Sequence, residues 1–291
     1  MMTFSKRVGG GLRSLCKSGV TVGIASLAVA VPGLAQADGI QLNEKLSVKG
    51  FIDMSYTHTD TDSTDPTKDG IESSMGLDQF EMNFLYSFDD KLSAVVDLEY
   101  QDNGGDDGEE VDIEQAYFTY GVMDGVSVKA GRFLSYSGWE TEDPTGLMQY
   151  SGTGYGKYFY GAYQQGVSAL YTADMFDAAV SLVNGLGDLE GEDRGENSKR
   201  GVELMFAVRP IENLTVKAFY MTDHNDDVDE TTTLINVWAS YAISGFTFAL
   251  EGNSSTNAGA AVGTAVDAGE AGKDVEATGY LAMVNYAMDN G

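Results

Sequence analysis

Between residues 77 and 101 the chain alternates strictly, and that alternation limits the available folds more than any other feature of the sequence. In 77–88, Phe80, Met82, Phe84, Tyr86 and Phe88 share one side, and Gln79, Glu81, Asn83 and Ser87 share the other. After Asp89, Asp90 and Lys91 the pattern resumes. Leu92, Ala94, Val96, Leu98 and Tyr100 face one way, and Ser93, Asp97, Glu99 and Gln101 face the other. Period-two alternation marks a strand lying between two different solvents, and a three-residue polar turn makes the pair a hairpin. Which face is inside must come from the rest of the chain.

The chain has 291 residues, room for one or two soluble domains or one large barrel. Residues 1–37 read as a secretory signal peptide. Lys6, Arg7, Arg13 and Lys17 precede an apolar run over 20–31, and Ala35-Gln36-Ala37 fits the small-residue cleavage rule. The run is too short for a spanning helix. Cys16 precedes the apolar core, where a lipoprotein cysteine would follow it, and 38–291 contains no cysteine. That mature segment carries 13 Lys plus Arg against 45 Asp plus Glu, a net charge of −32. Phosphates need cations, so nucleic acid is not an expected partner. Regularly placed aromatics argue against disorder outside the loop tips. An exported chain without a long apolar run is periplasmic, secreted or an outer-membrane barrel.

The hairpin pattern recurs over 46–56, 111–120, 126–133, 166–172, 176–183, 202–209, 214–221, 233–242, 246–253 and 276–287, about 12 strands in all. Turns after even-numbered strands are short and loops after odd-numbered strands are long. This asymmetry fits an antiparallel up-and-down transmembrane β-barrel with short periplasmic turns and long extracellular loops. Spacing of about 21 residues accommodates a tilted strand of nine to eleven residues plus a connection. Tyr56, Tyr86, Phe88, Tyr100, Tyr120, Tyr171, Phe176, Tyr220, Tyr241, Phe246 and Tyr286 fall at or near strand ends, where interfacial girdles belong. The competing reading is a soluble β-sandwich, which has no reason to segregate its loop lengths. The apolar face is therefore expected to meet lipid and the polar face to line a lumen, with one barrel domain over 38–291.

Expected lumen residues are Lys49, Asp53, Glu81, Asp97, Glu99, Lys129, Asp177, Glu203, Arg209, Lys217 and Glu251. If the first long strand rises from the periplasm, Glu81, Glu99, Glu203 and Glu251 lie in the extracellular half. Asp53 and Asp97 then lie nearer the middle, and Lys49, Arg209 and Lys217 near the periplasmic end. Such a wall would attract cations at the mouth. The plainer alternative is that these groups pair across strands and only solvate the wall.

Chemistry beyond passage has little support. His58 and His224, the mature histidines, sit beside acidic residues at the expected extracellular rim. No Gly-x-Ser-x-Gly elbow, His-Glu-x-x-His motif or mature cysteine accompanies them. The run from Ser151 through Gly156 and Lys157 to Tyr158 lacks the first glycine and the final Ser or Thr of a phosphate loop. Asp60, Asp62, Asp65 and Asp69, and Asp102, Asp106, Asp107, Glu109 and Glu110, could supply oxygens to Ca²⁺ or Mg²⁺, but none matches EF-hand spacing. A solvated acidic surface is the simpler reading, and no catalytic residue, metal or cofactor is expected.

The most individual stretch is Ile113-Glu114-Gln115-Ala116-Tyr117-Phe118-Thr119-Tyr120, then Lys129-Ala130-Gly131-Arg132-Phe133, then Gly138 and Glu140. It resembles Gram-negative porins, most closely the OmpL-like β-barrel porin family. The match is good over 114–144 and only pattern-deep elsewhere. This resemblance implies a water-filled pore for small hydrophilic solutes, with lipid and lipopolysaccharide as surroundings and homo-oligomerisation left open. Porins often fold a long loop inward, and the connection 134–165 is the natural candidate, with Arg132, Glu140, Glu142 and Asp143 near a constriction. Simple alternation, however, points Arg132 outward, so it needs either a bulge or a place at the rim. The sequence ends Met288-Asp289-Asn290-Gly291, without the terminal aromatic usual in porins. It reads as a larger barrel truncated by several strands, the alternative being a closed barrel of about 12.

Overall fold

A computed structural model of the chain describes residues 39–61, 70–101, 111–140, 146–148, 153–154, 156–185, 200–225, 230–257 and 275–288. Thirteen strands form one antiparallel sheet in chain order. They are β1 (Ile40–Gln41), β2 (Leu46–Thr61), β3 (Gly70–Ser87), β4 (Leu92–Gln101), β5 (Val111–Met123), β6 (Val126–Leu134) and β7 (Tyr163–Thr172). There follow β8 (Phe176–Val183), β9 (Gly201–Ile211), β10 (Leu214–Asn225), β11 (Glu230–Ile243), β12 (Phe246–Thr256) and β13 (Glu276–Tyr286). β13 pairs only with β12, and β1 only with β2, so the sheet is open among the described residues. The twelve long strands are those the alternation predicts, and β1 is a two-residue addition before them.

The polarity of the faces is the reverse of a soluble protein's. Glu81 is 1% exposed, and Asp97, Ser168, Ser181, Glu203, Asn236 and Glu251 are buried with it. Ile52, Met54, Phe118, Leu182, Phe206, Val237, Leu250 and Val284 are exposed. A single-layer sheet buries polar groups in this way only by curling so that its polar face is enclosed, which leaves the apolar face for hydrocarbon. The turn ends carry the aromatic belt. Tyr171 lies 5.5 Å from Phe176, Phe176 lies 5.9 Å from Phe206, and Phe246 lies 4.5 Å from Tyr286, all between ring centroids.

Two departures from the sequence reading stand out. The polar segment 57–76, expected as a loop, continues the β2–β3 ladder from Thr57↔Ser74 to Thr61↔Gly70. β10 and β11 extend similarly to Asn225↔Glu230. With water on both faces, such extensions need no alternation, so periodicity does not reveal them. The enclosed face is also not uniformly polar. Phe133, Tyr136, Leu170, Val183, Met205, Phe219, Met221 and Leu234 form a buried cluster on it.

The shortest turns are held locally. The Asp89 carboxylate accepts the backbone N–H groups of Lys91 (2.8 Å) and Leu92 (2.9 Å), an Asx-type turn. Those two donors, helped by Lys91 and Lys45, hold its pKa below the ordinary aspartate value. A depressed carboxylate favours the folded turn above the pH at which the free group ionises. That advantage fades as pH falls through the lowered value. Protection of the Lys91 and Leu92 amides, corrected for intrinsic exchange, should therefore drop in acid and be low at every pH in D89A. Equal pH profiles in the two proteins would contradict it. For the outer face, L250R should lower stability in lipid by about 2–4 kcal/mol if Leu250 lies near the midplane. Urea titration in vesicles measures this, and a neutral substitution would mean Leu250 does not face the lipid midplane.

Candidate functional site

The connection from β6 to β7 lies across the enclosed face and supplies the site. Its stems close on each other where Ser135 N–H donates to Ala162 O at 3.1 Å and Gly161 N–H to Ser137 Oγ at 2.7 Å. Beyond the stems the backbone has no strand neighbour, and wall side chains take its donors instead. Glu203 on β9 accepts from Tyr136 N–H (3.2 Å), Ser135 Oγ (3.0 Å) and Gln164 Nε2 (2.7 Å). Asn236 on β11 accepts from Gly138 N–H at 3.3 Å, and Glu251 on β12 from Trp139 N–H at 3.1 Å. Tyr160 OH and Asn236 Nδ2 also donate to Glu251. Trp139 packs edge-on against Trp238 at 5.2 Å, and Tyr136 OH meets Ser168 Oγ at 3.1 Å. We call residues 135–140 with 156–162 the strap.

Gly138 makes the strap's sharpest turn, at φ +84°, and a Cβ there would lie 2.6 Å from the Tyr160 ring. Only glycine combines that backbone angle with that approach. Glu140 is half-buried and ties the two halves of the connection by accepting from Thr153 Oγ1 at 2.7 Å. Glu142 and Asp143 lie outside the described residues.

Arg132 does not join the strap. β6 keeps its register through Ala116↔Arg132↔Gln165, so no bulge turns the side chain inward. It lies on the lipid-side face two residues before β6 ends, paired to Asp112 at 3.4 Å. Its charge is met there by the Asp112 carboxylate.

The other expected lumen residues fall on two unlike walls. On β2–β5, Glu81 sits opposite Glu99, and Glu99 opposite Asp112. Asp97 lies opposite Asn83 and Gln115, and Asp53 opposite Gln79. Amides donate to three of these carboxylates: Asn83 to Glu81, Gln79 to Glu99 and Gln115 to Asp97, the last at 2.6 Å. An amide satisfies a carboxylate oxygen without supplying a positive charge. Lys49, exposed and opposite Asn83, shares this wall's face.

On β6–β12 the charges balance, three cations to three carboxylates. Arg209 grips Asp177 through two bonds, of 2.5 and 3.0 Å, and donates to the carbonyls of Ala173 and Asp174 in the β7–β8 turn. The Lys129 ammonium sits over the rings of Tyr117, Phe133 and Tyr136 at 4.9, 4.9 and 4.7 Å. Lys217 lies 5.6 Å over Trp238. The ladder places Lys217, Trp238 and Glu251 on one cross-strand row. On this wall the expected division into basic below and acidic above is therefore absent. β12 begins two residues before the level at which β10 begins, and counting from the turns hides that offset.

Sequence reasoning missed the inner apolar cluster and the anchor Asn236. A signal was present: β9–β11 carry apolar residues in both phases, which implies cover on both faces. His58 Nδ1 meets Ser73 Oγ and His224 Nδ1 meets Thr231 Oγ1, each at 2.8 Å between ladder neighbours on the outer extensions. Among the described residues, no group of three or more His, Cys, Asp or Glu is placed to hold a metal. The acidic loop residues Asp62, Asp65, Asp69, Asp102, Asp106, Asp107, Glu109 and Glu110 lie outside the described residues, as does the side chain of Asp60.

Several solved structures are similar. The outer membrane channel DcaP of Acinetobacter baumannii is 15% identical, with a TM-score of 0.50 over 76% of this chain and 67% of that one. OmpT of Vibrio cholerae is 15% identical, at 0.46 over 75% and 66%. OmpF of Salmonella typhi, in complex with daunomycin, is 14% identical, at 0.45 over 87% and 89%. The chain thus spans about two thirds of the first two, and at such identity the likeness to DcaP speaks for the barrel fold alone. No curated protein matches the chain. The family described as "Putative beta-barrel porin-2, OmpL-like" matches residues 45–290, and the chain belongs to that family of outer-membrane β-barrel porins.

Proposed function

We propose that this protein, exported by its first 37 residues, lets small hydrophilic solutes diffuse passively through the outer membrane, with a mild preference for cations. The observation that carries the reading is the strap anchored across an enclosed polar face by Glu203, Asn236 and Glu251. It occupies the β6–β12 side and leaves the acidic β2–β5 side as the path. Cation preference follows from that side, where Glu81, Asp97 and Glu99 take amide donors, Asp53 lies opposite Gln79, and Lys49 shares their face. Fixed charges of one sign on a low-dielectric wall concentrate the opposite ion. The alternative, a non-conducting adhesive barrel bridging divalent ions to lipopolysaccharide, rests on acidic loops outside the described residues. A rim hydrolase would need more than His58 and His224 bonded to neighbouring hydroxyls.

Full-length protein in planar bilayers should give discrete conductance steps, with potassium more permeant than chloride. Absence of steps would remove the pore reading, and a chloride preference would remove the field argument. The triple change E81Q, D97N and E99Q should bring the potassium-to-chloride ratio toward one while step size changes little. E203A should loosen the strap, because it strips an acceptor from three donors at once. Loss of one side of such a buried charged network costs about 3–5 kcal/mol. Larger and noisier steps are expected, and unchanged steps would mean the strap does not narrow the path.

A further inference from the structure

Lys217 and Trp238 are ladder partners on β10 and β11, and both are buried, at 6% and 2% exposure. Neither has a hydrogen-bond acceptor among the described residues. Trp238 Nε1 is enclosed without a partner. The described contact of the Lys217 ammonium is the Trp238 ring face, which can receive one of its three N–H bonds. The carboxylates close enough to attract Lys217 are Asp177, Glu203 and Glu251. Each has its own donors: Asp177 is held by Arg209, Glu203 by Ser135, Tyr136 and Gln164, and Glu251 by Trp139, Tyr160 and Asn236. A buried donor left without an acceptor is unfavourable, and the Trp238 indole N–H is such a donor with the Lys217 ammonium beside its ring.

We propose that Lys217 and Trp238 form a binding subsite for the carboxylate group of a small solute beneath the strap. One carboxylate oxygen takes the ammonium and the other the indole N–H, while the edge-packed Trp139 ring closes the apolar side. A carboxylate suits two donors on adjacent strands because its two oxygens accept in diverging directions. This subsite rests on the porin reading, since the solute must reach the enclosed face. It does not conflict with cation preference, which is set by the opposite wall.

Trp139 and Trp238 are the only tryptophans in the chain, so W139F leaves Trp238 as a single reporter. Titrating detergent-folded full-length W139F with sodium acetate at constant ionic strength should change its fluorescence saturably. Sodium chloride over the same range should not. W139F/K217M should lose the acetate response, and W139F/K217R should keep at least part of it, with heat-modifiable gel mobility confirming that each variant is folded. No acetate response in either the wild-type protein or W139F, or one that persists in W139F/K217M, would overturn the subsite. A saturable chloride response of equal size would overturn the carboxylate assignment in favour of any small anion. Bilayer recordings on the same preparations separate the two proposals. Conductance without acetate binding overturns the subsite alone, and acetate binding without conductance overturns the pore alone.

Discussion

The peptide N–H groups of Tyr136, Gly138 and Trp139 have no strand beside them, yet they lie against the inner wall of a membrane barrel. At that depth an irregular backbone persists only where protein or water satisfies its polar groups. Glu203, Asn236 and Glu251 do this from three different strands, β9, β11 and β12. Much else follows from it. The strap can cover the cluster formed by Phe133, Leu170, Met205, Phe219, Met221 and Leu234 only because its backbone has been given acceptors. The cluster in turn gives β6–β11 the second packed layer that a single sheet lacks.

Glu203 and Glu251 would otherwise look like selectivity residues. Their oxygens are occupied by loop donors, and Lys129 and Lys217 stand near them, so the β6–β12 wall contributes little net field. The β2–β5 wall makes the opposite choice. Glu81, Asp97 and Glu99 there accept from Asn83, Gln115 and Gln79, side chains that order them without supplying a positive charge. Two sets of acidic residues with the same phase in the sequence thus do different work, and the partner type decides which.

What could be read from the sequence was whatever depends on local period. The opposition of Phe80 and Glu81, the Asp89 turn and the short-turn, long-loop rhythm each follow from neighbours in the chain, and each places its strand correctly. What could not be read depends on register or on distant contacts. Lys217 and Glu251 appear at different heights when counted from their turns, and only the β10–β11–β12 ladder shows that they share a row. Arg132 was legible as outward from its own alternation, and the loop resemblance drew it inward against that evidence. The extension of β2 and β3 past Tyr56 was hidden because polar residues facing water on both sides carry no periodic mark. Asn236 gave no sign at all, since one amide on a strand looks like wall polarity until a loop is placed above it.

The division of the interior also bears on how such a barrel stays both stable and open. A lumen lined only by solvated polar groups gains no apolar burial from its inner face, and its strands depend on the ladder and on lipid contact. A lumen filled by a packed core would be stable and closed. Here the buried apolar cluster lies on β6–β11 under the strap, interspersed with Ser168, Ser181, Glu203 and Asn236, and the carboxylates of Glu81, Asp97 and Glu99 lie on β2–β5. The strap's packing and the acidic residues Glu81, Asp97 and Glu99 thereby fall on different arcs of one sheet. A change that tightens the strap on its own side therefore need not close the acidic side, and a change in the acidic wall need not unseat the strap. Glu203 is where the two arcs approach each other most closely in function, because it anchors the strap and attracts Lys129, the cation that Tyr117 of β5 shares with Tyr136 of the strap.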